Sequence, residues 1–154
     1  MRPPLGYDGR VRTNLTIADL GDLLELPIVA VLATYRRDGS VLLSPVWHEW
    51  RDGGFNVWTN PADIKTRHLA RDPRASIVVN DDTWPYRGVQ VEGDAVVTGA
   101  GFTDVLRRTA RRYFGLEMGD TFADSVQTVG HVVRLEPTRI RAWDYLDEVA
   151  PEEA

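Results

Sequence analysis

Hydrophobic positions along this chain come mostly in short alternating or continuous blocks, and helical periodicity is confined to three stretches. Ile17, Leu20, Leu23 and Leu24 share one face of a short helix that Asn14 or Thr16 would cap and Pro27 would end. Ile28 to Tyr35 reads as a strand buried on both faces. Arg37-Asp38-Gly39-Ser40 and Arg51-Asp52-Gly53-Gly54 carry the Asp-Gly hairpin signal. Val41 to Trp50 is therefore expected as one return strand and Phe55 to Thr59 as a third, the three forming an antiparallel meander. In that return strand Trp47 shares a face with Pro45 and Glu49, and Trp50 with His48 and Val46. Asn60 as cap and Pro61 at the first position predict a helix to about Arg71, closed by Asp72-Pro73. Strands follow at Ala75 to Asn80, Tyr86 to Thr98, Val129 to Glu136 and Thr138 to Tyr145, with Gly93 marking a bulge or close approach. Thr103 would cap a last helix through Phe114, apolar at Val105, Leu106, Thr109, Ala110 and Tyr113. Gly115 to Thr128 has no clear pattern. About seven mostly antiparallel strands with few helices predict a mainly β fold, a small barrel.

Composition narrows the function classes. The 154 residues suit one domain: an arm at 1–14, a folded unit at 15–146 and a frayed acidic tail at 147–154. A formal charge of −5 disfavours nucleic acid and anionic membranes as partners. The absence of cysteine removes thiol catalysis, and with a start that lacks a signal-peptide core it predicts a cytoplasmic protein. No apolar run approaches the ~20 residues of a membrane span. His48, His68 and His131 show no ligand spacing, so no metal is expected. Ser44 and Ser125 sit in no nucleophile elbow, and Gly99-Ala100-Gly101 opens no dinucleotide fingerprint.

Seventeen of the eighteen basic residues are arginine; the exception is Lys65, early in the helix after Thr59. Helix starts attract anions, and a compact ammonium suits a phosphate as a point charge. Thr59, Asn60, Lys65, Thr66 and Arg67 therefore form the leading candidate anion site. Arg107, Arg108, Arg111 and Arg112 make a basic stripe that reads first as a solvated helix face, with an anionic tail, an acidic partner or nucleic acid as alternatives. Five tryptophans are read as core or interface, with one or two able to flank a planar ligand.

The stretches Leu32 to Ser40, Leu43-Ser44-Pro45-Val46-Trp47, Trp58-Thr59, Lys65 to Ser76 and Val89 to Ala95 together resemble the split β-barrel flavoproteins related to pyridoxamine 5′-phosphate oxidase. They are most similar to the short branch that includes oxidoreductases dependent on the deazaflavin coenzyme F-420. The resemblance spans about residue 16 to residue 145. It implies a homodimer with two cofactor sites at the subunit interface. It implies phosphate contacts from Lys65 and from groups near Trp58 and Thr59, and a ring lying along Ser44, Pro45, Val46 and Trp47. Gln90 matches a position that reaches the cofactor in some relatives. Some deazaflavin binders carry an arginine where this chain has Asp63, so Arg67 or Arg87 would supply that part of the clamp. The strand signature of true pyridoxamine phosphate oxidases is absent, which argues against vitamin B6 oxidation. The expected activity is hydride transfer between coenzyme F-420, favoured over FMN, and a small unsaturated substrate, with His48 or Tyr86 as candidate proton donors. The alternative is a flavin, F-420 or haem carrier without turnover.

Overall fold

The computed structural model describes residues 11–145. The expected tail at 147–154, and all but residues 11–14 of the expected arm, lie outside the described residues. Among the described residues, eight strands form one antiparallel sheet: β1 (Ala30–Tyr35), β2 (Val41–Val46), β3 (Glu49–Arg51), β4 (Gly54–Thr59), β5 (Arg74–Asp81), β6 (Arg87–Thr98), β7 (His131–Leu135) and β8 (Arg139–Asp144). Their order is β2-β1-β5-β6-β7-β4-β3, with β8 also on β6. The helices are α1 (Ile64–Arg71), α2 (Phe102–Phe114) and α3 (Leu116–Ser125). None of the described helices is long and apolar enough to cross a membrane.

β6 closes the barrel. Arg87 to Asp94 pair with β5, and Ala95 to Thr98 pair with β7 instead. β8 pairs with β6 as far as Glu92 and β7 from Ala95 onward, and between them lies Gly93, where a Cβ would lie 2.2 Å from the Glu136 carbonyl oxygen. The expected close approach is real, and glycine permits it.

The expected meander is replaced by two separate hairpins. β2 pairs with β1 and β3 pairs with β4, while Trp47 and His48 carry the chain between two parts of the sheet. The continuous strand-like pattern from Val41 to Trp50 hid this crossing, because buried connecting residues look like strand residues. β4 then finds its second partner in β7, far along the sequence.

The helix ends also differ from expectation. Asn60 does not cap α1; its carbonyl accepts from Asp63 in a turn, and the Asp63 side chain caps the helix by accepting from the Lys65 amide at 2.9 Å. α2 starts after Gly101, held at φ +77°, so Thr103 lies inside it. The first predicted helix is two short 3₁₀ turns, Ala18–Leu20 and Leu23–Glu25, separated by Gly21 at φ +61°. The unpatterned stretch after Gly115 is α3. Buried Gly119 lets α3 approach α2 so closely that a Cβ there would lie 2.5 Å from Arg111 backbone atoms.

Two clusters fill the interior. The main one joins Leu20, Leu23, Leu32, Phe55, Val57, Ile77, Val89, Val91 and Leu135 inside the barrel. A second, built on Phe102, Val105, Leu106, Ala123 and Val132, seats the α2–α3 pair against Trp58 on β4.

Candidate cofactor-binding site

The corner from β4 into α1 gathers the polar groups expected there. Thr59 is 3% exposed, and its Oγ1 is buried with no hydrogen-bond partner. Its position is fixed from behind by Gly130, where any Cβ would lie 1.8 Å from the Thr59 carbonyl oxygen. Lys65 is the second residue of α1, and its ammonium lies 2.8 Å from Asp63 Oδ2 in a half-buried pair. Thr66 donates its hydroxyl to the Asp63 carbonyl at 2.7 Å. Asn60 and Arg67 are exposed. Asp63 is thus both helix cap and counter-ion, a double role that its sequence position beside Lys65 signalled only as a departure from the related pattern.

Ser44, Pro45 and Val46 lie on β2, which is paired on one side only among the described strands. Ser44 sits opposite Leu32 and is half-buried, Pro45 is exposed, and Val46 is buried. Proline suits such an edge, since it has no N–H to offer a second neighbour. Trp47 follows directly. It stacks on Tyr113 with centroids 4.9 Å apart and planes 7° from parallel, and its edge contacts include Phe114 at 4.9 Å and Trp58 at 6.2 Å. Trp47 and Trp58 therefore bring the end of β2 and the end of β4 together. Phe122 joins this aromatic group from α3, and Trp58 Nε1 within it has no partner. Phe122 was missed as a site neighbour because α3 was not foreseen, and Tyr113 and Phe114 because the contact of the expected α2 with Trp47 joins elements far apart in sequence.

His48 is fully buried, with Nε2 at 3.0 Å from the Ile28 carbonyl oxygen. Burial, with the adjacent Arg112 guanidinium, lowers its pKa to about 4. The ring is neutral at pH 7 and acts in packing, edge-on to Phe55 at 5.4 Å. Arg112 also donates to the His48 and Leu24 carbonyls. The rest of the basic stripe is engaged too. Arg108 grips Glu49 with two bonds of 2.9 and 2.8 Å. Arg107 and Arg111 hold Asp120, and Arg107 also reaches Asp124. Every arginine of the stripe is thus paired within the chain: Arg108 and Arg112 against partly buried groups, Arg107 and Arg111 on the solvated side of the helix. Burial pushes the Glu49 carboxyl up, but bonds from Arg108 and Asn56 outweigh it and hold the group below its ordinary value.

The remaining candidates lie elsewhere. Arg87 donates to the Leu20 carbonyl at 2.6 Å and pairs with Asp81 and Asp22, so it is committed to the fold rather than free to replace the missing clamp. It lines a cavity of about 340 Å³ with Asp19, Asp81, Trp84 and Asp144. Tyr86 is half-buried against Trp84 and Tyr145. Gln90 sits in mid-β6, between Glu92 and Arg141 in a shallow hollow of about 140 Å³.

Comparison with solved structures finds the same architecture. A conserved hypothetical protein from Mycobacterium tuberculosis is 29% identical with a TM-score of 0.70, covering 84% of this chain and 85% of that one. An F420 reductase is 22% identical with a TM-score of 0.61, covering 77% and 93%. The haem storage protein from Vibrio cholerae is 18% identical with a TM-score of 0.61, covering 80% and 92%. Residues 18–144 match the family described as pyridoxamine 5′-phosphate oxidase. With the split barrel described above, that match makes this chain a member of the pyridoxamine 5′-phosphate oxidase family.

Proposed function

We propose that this protein is an oxidoreductase that holds a flavin-type coenzyme, F-420 in preference to FMN, and serves a small unsaturated organic substrate. The observation that carries the reading is the β4–α1 corner: a buried, partnerless Thr59 hydroxyl beside the helix that bears the chain's one lysine. An orphaned buried donor costs roughly 1–3 kcal/mol, which a phosphate oxygen would recover. The residues therefore fit the group. Lys65 and Arg67 would balance its charge, with Thr59, Asn60 and Thr66 around it. Ser44, Pro45, Val46 and Trp47 would flank the ring, with Trp58 beneath Trp47.

The coenzyme, when bound, supplies hydride transfer. The chain binds, orients and keeps water out. Exposed Arg67 suits the acidic tail of F-420, and likeness to an F420 reductase supports the same preference. Arg87 acts through the fold. His48 is too deeply enclosed to reach a substrate, which leaves Tyr86 as the candidate proton donor.

The functional unit in this reading is a homodimer in the cytoplasm. The sheet face bearing Val41 (43% exposed) and Leu43 (63% exposed) would meet a second copy, and Gln90 would reach the neighbouring coenzyme. Fluorescence titration with F-420 and with FMN tests the cofactor. Saturable F-420 binding is expected, and micromolar binding of FMN alone overturns the preference. The barrel's likeness to a haem storage protein favours a carrier as the second reading. Reduced coenzyme offered with quinones, enones and tetrapyrroles separates the two, since a carrier binds without oxidising it.

A further inference from the structure

Between the end of α2 and α3 lies a hollow of about 360 Å³, lined by Phe114, Glu117, Met118, Thr121, Phe122 and Ser125. We infer that it binds a flat, uncharged apolar molecule, and that it is where the proposed enzyme first holds its second substrate before that molecule moves on to the coenzyme. The inference rests on the coenzyme reading only for the second clause.

The volume falls at the lower end of small-molecule pockets, roughly 300–1,000 Å³. Its walls determine the chemistry. Phe114 and Met118 on the lining are 42% and 64% exposed, and Leu116 outside it is 67% exposed, three large apolar side chains facing water within five residues. Such a concentration marks a binding surface rather than an ordinary exterior. The hydroxyls on the lining are already spent on their own helix, Thr121 on the Glu117 carbonyl at 3.0 Å and Ser125 on the Phe122 carbonyl at 2.6 Å. A sugar or other polyol would find no free hydroxyl donor there. The one charge on the lining is the Glu117 carboxylate, which repels anions, including the coenzyme's own phosphate and acidic tail.

Position gives the hollow its link to the coenzyme. Phe114 and Phe122, 5.5 Å apart, each touch Trp47, at 4.9 and 5.4 Å. Trp47 follows the last residue of β2, along which the ring is proposed to lie. An occupant of the hollow would thus stand one aromatic layer from the coenzyme, and it must pass Trp47 to come within the roughly 3–3.5 Å that hydride transfer needs. Rings offered this surface gain edge and stacking contacts worth about 0.5–1.5 kcal/mol per pair.

The probe is 2-methyl-1,4-naphthoquinone, followed by quenching of intrinsic tryptophan fluorescence without coenzyme. Saturable quenching is expected. Thr121→Trp fills the hollow and Met118→Glu adds a second carboxylate; both positions are exposed, so the fold should tolerate them. Each is expected to weaken naphthoquinone binding at least tenfold, or about 1.4 kcal/mol, with F-420 affinity unchanged. Glu117→Gln should strengthen binding of the anionic 1,2-naphthoquinone-4-sulfonate. Quenching by 2-methyl-1,4-naphthoquinone that ignores both blocking variants overturns the inference. So does a fall in sedimenting mass in those variants with quenching intact, which would make the hollow a contact between copies. Failure to bind F-420 would sink the coenzyme reading while leaving the naphthoquinone result to stand or fall by itself.

Discussion

Asp63 Oδ2 stands 2.8 Å from the Lys65 ammonium, so the lysine proposed to meet a phosphate already has a carboxylate in hand. An incoming anion must share or displace that partner. Lys65→Ala is expected to weaken F-420 binding about 10- to 100-fold, the size of a charged hydrogen bond. Asp63→Asn keeps a good cap and releases the ammonium, so it should tighten binding about two- to fivefold. Titration of both variants with F-420 checks the pair; tighter binding by Lys65→Ala would refute the phosphate role.

The Arg108 fork on Glu49 ties α2 to β3, and Glu49 is 6% exposed. Arg108→Ala strands a buried carboxylate and should cost about 3 kcal/mol in urea unfolding. Adding Glu49→Gln is expected to recover much of the loss, because the uncompensated charge disappears. Equal instability in single and double variants would show that the charge is not the cause.

His48 makes stability depend on acid. Its folded pKa is lowered from 6.5 to about 4, so the unfolded chain takes up the proton first. The stabilisation from keeping this ring neutral is full above about pH 6.5 and is lost as pH falls towards 4, on the order of 3 kcal/mol in all. His68 is also lowered, chiefly by burial, and acts in the same direction. Melting temperature followed across that range should fall, and His48→Gln should flatten the slope. An unchanged slope would assign the acid sensitivity elsewhere.

Gly130 faces the Thr59 carbonyl with no room for a methyl group. Gly130→Ala is expected to cost about 1–3 kcal/mol as β4 and β7 are forced apart. Because Thr59 moves with the strand, F-420 affinity should fall in the same variant. A variant that melts early but binds normally would separate the corner from the site.

Much of this was legible in the chain. Short alternating blocks and Asp-Gly turns marked the strands, and Gly93 marked a backbone contact, because these signals are local. The crossing at Trp47-His48 was not, since a buried connection and a buried strand share one composition. α3 escaped notice because its buried side is made of Gly119 and Ala123, small residues chosen for close helix approach and poor in hydrophobic signal. Lys65 stood out by rarity, whereas its partnership with Asp63 depends on a rotamer that no spacing rule specifies. The ion pairs of the α2 arginines were not legible because their acceptors, Glu49, Asp120 and Asp124, come from elements distant in sequence or unrecognised as helix.

Among the described strands, β2 leaves one flank of the sheet without a neighbour. Such a border is directional glue: any extended segment of suitable length can zip onto it, wanted or not. If two copies do meet nearby, dilution rather than heat would be the dangerous treatment, since it bares the border while the barrel stays intact. Pro45 tempers that hazard by deleting one donor from the row, so replacing it would trade a quiet margin for a fibril seed.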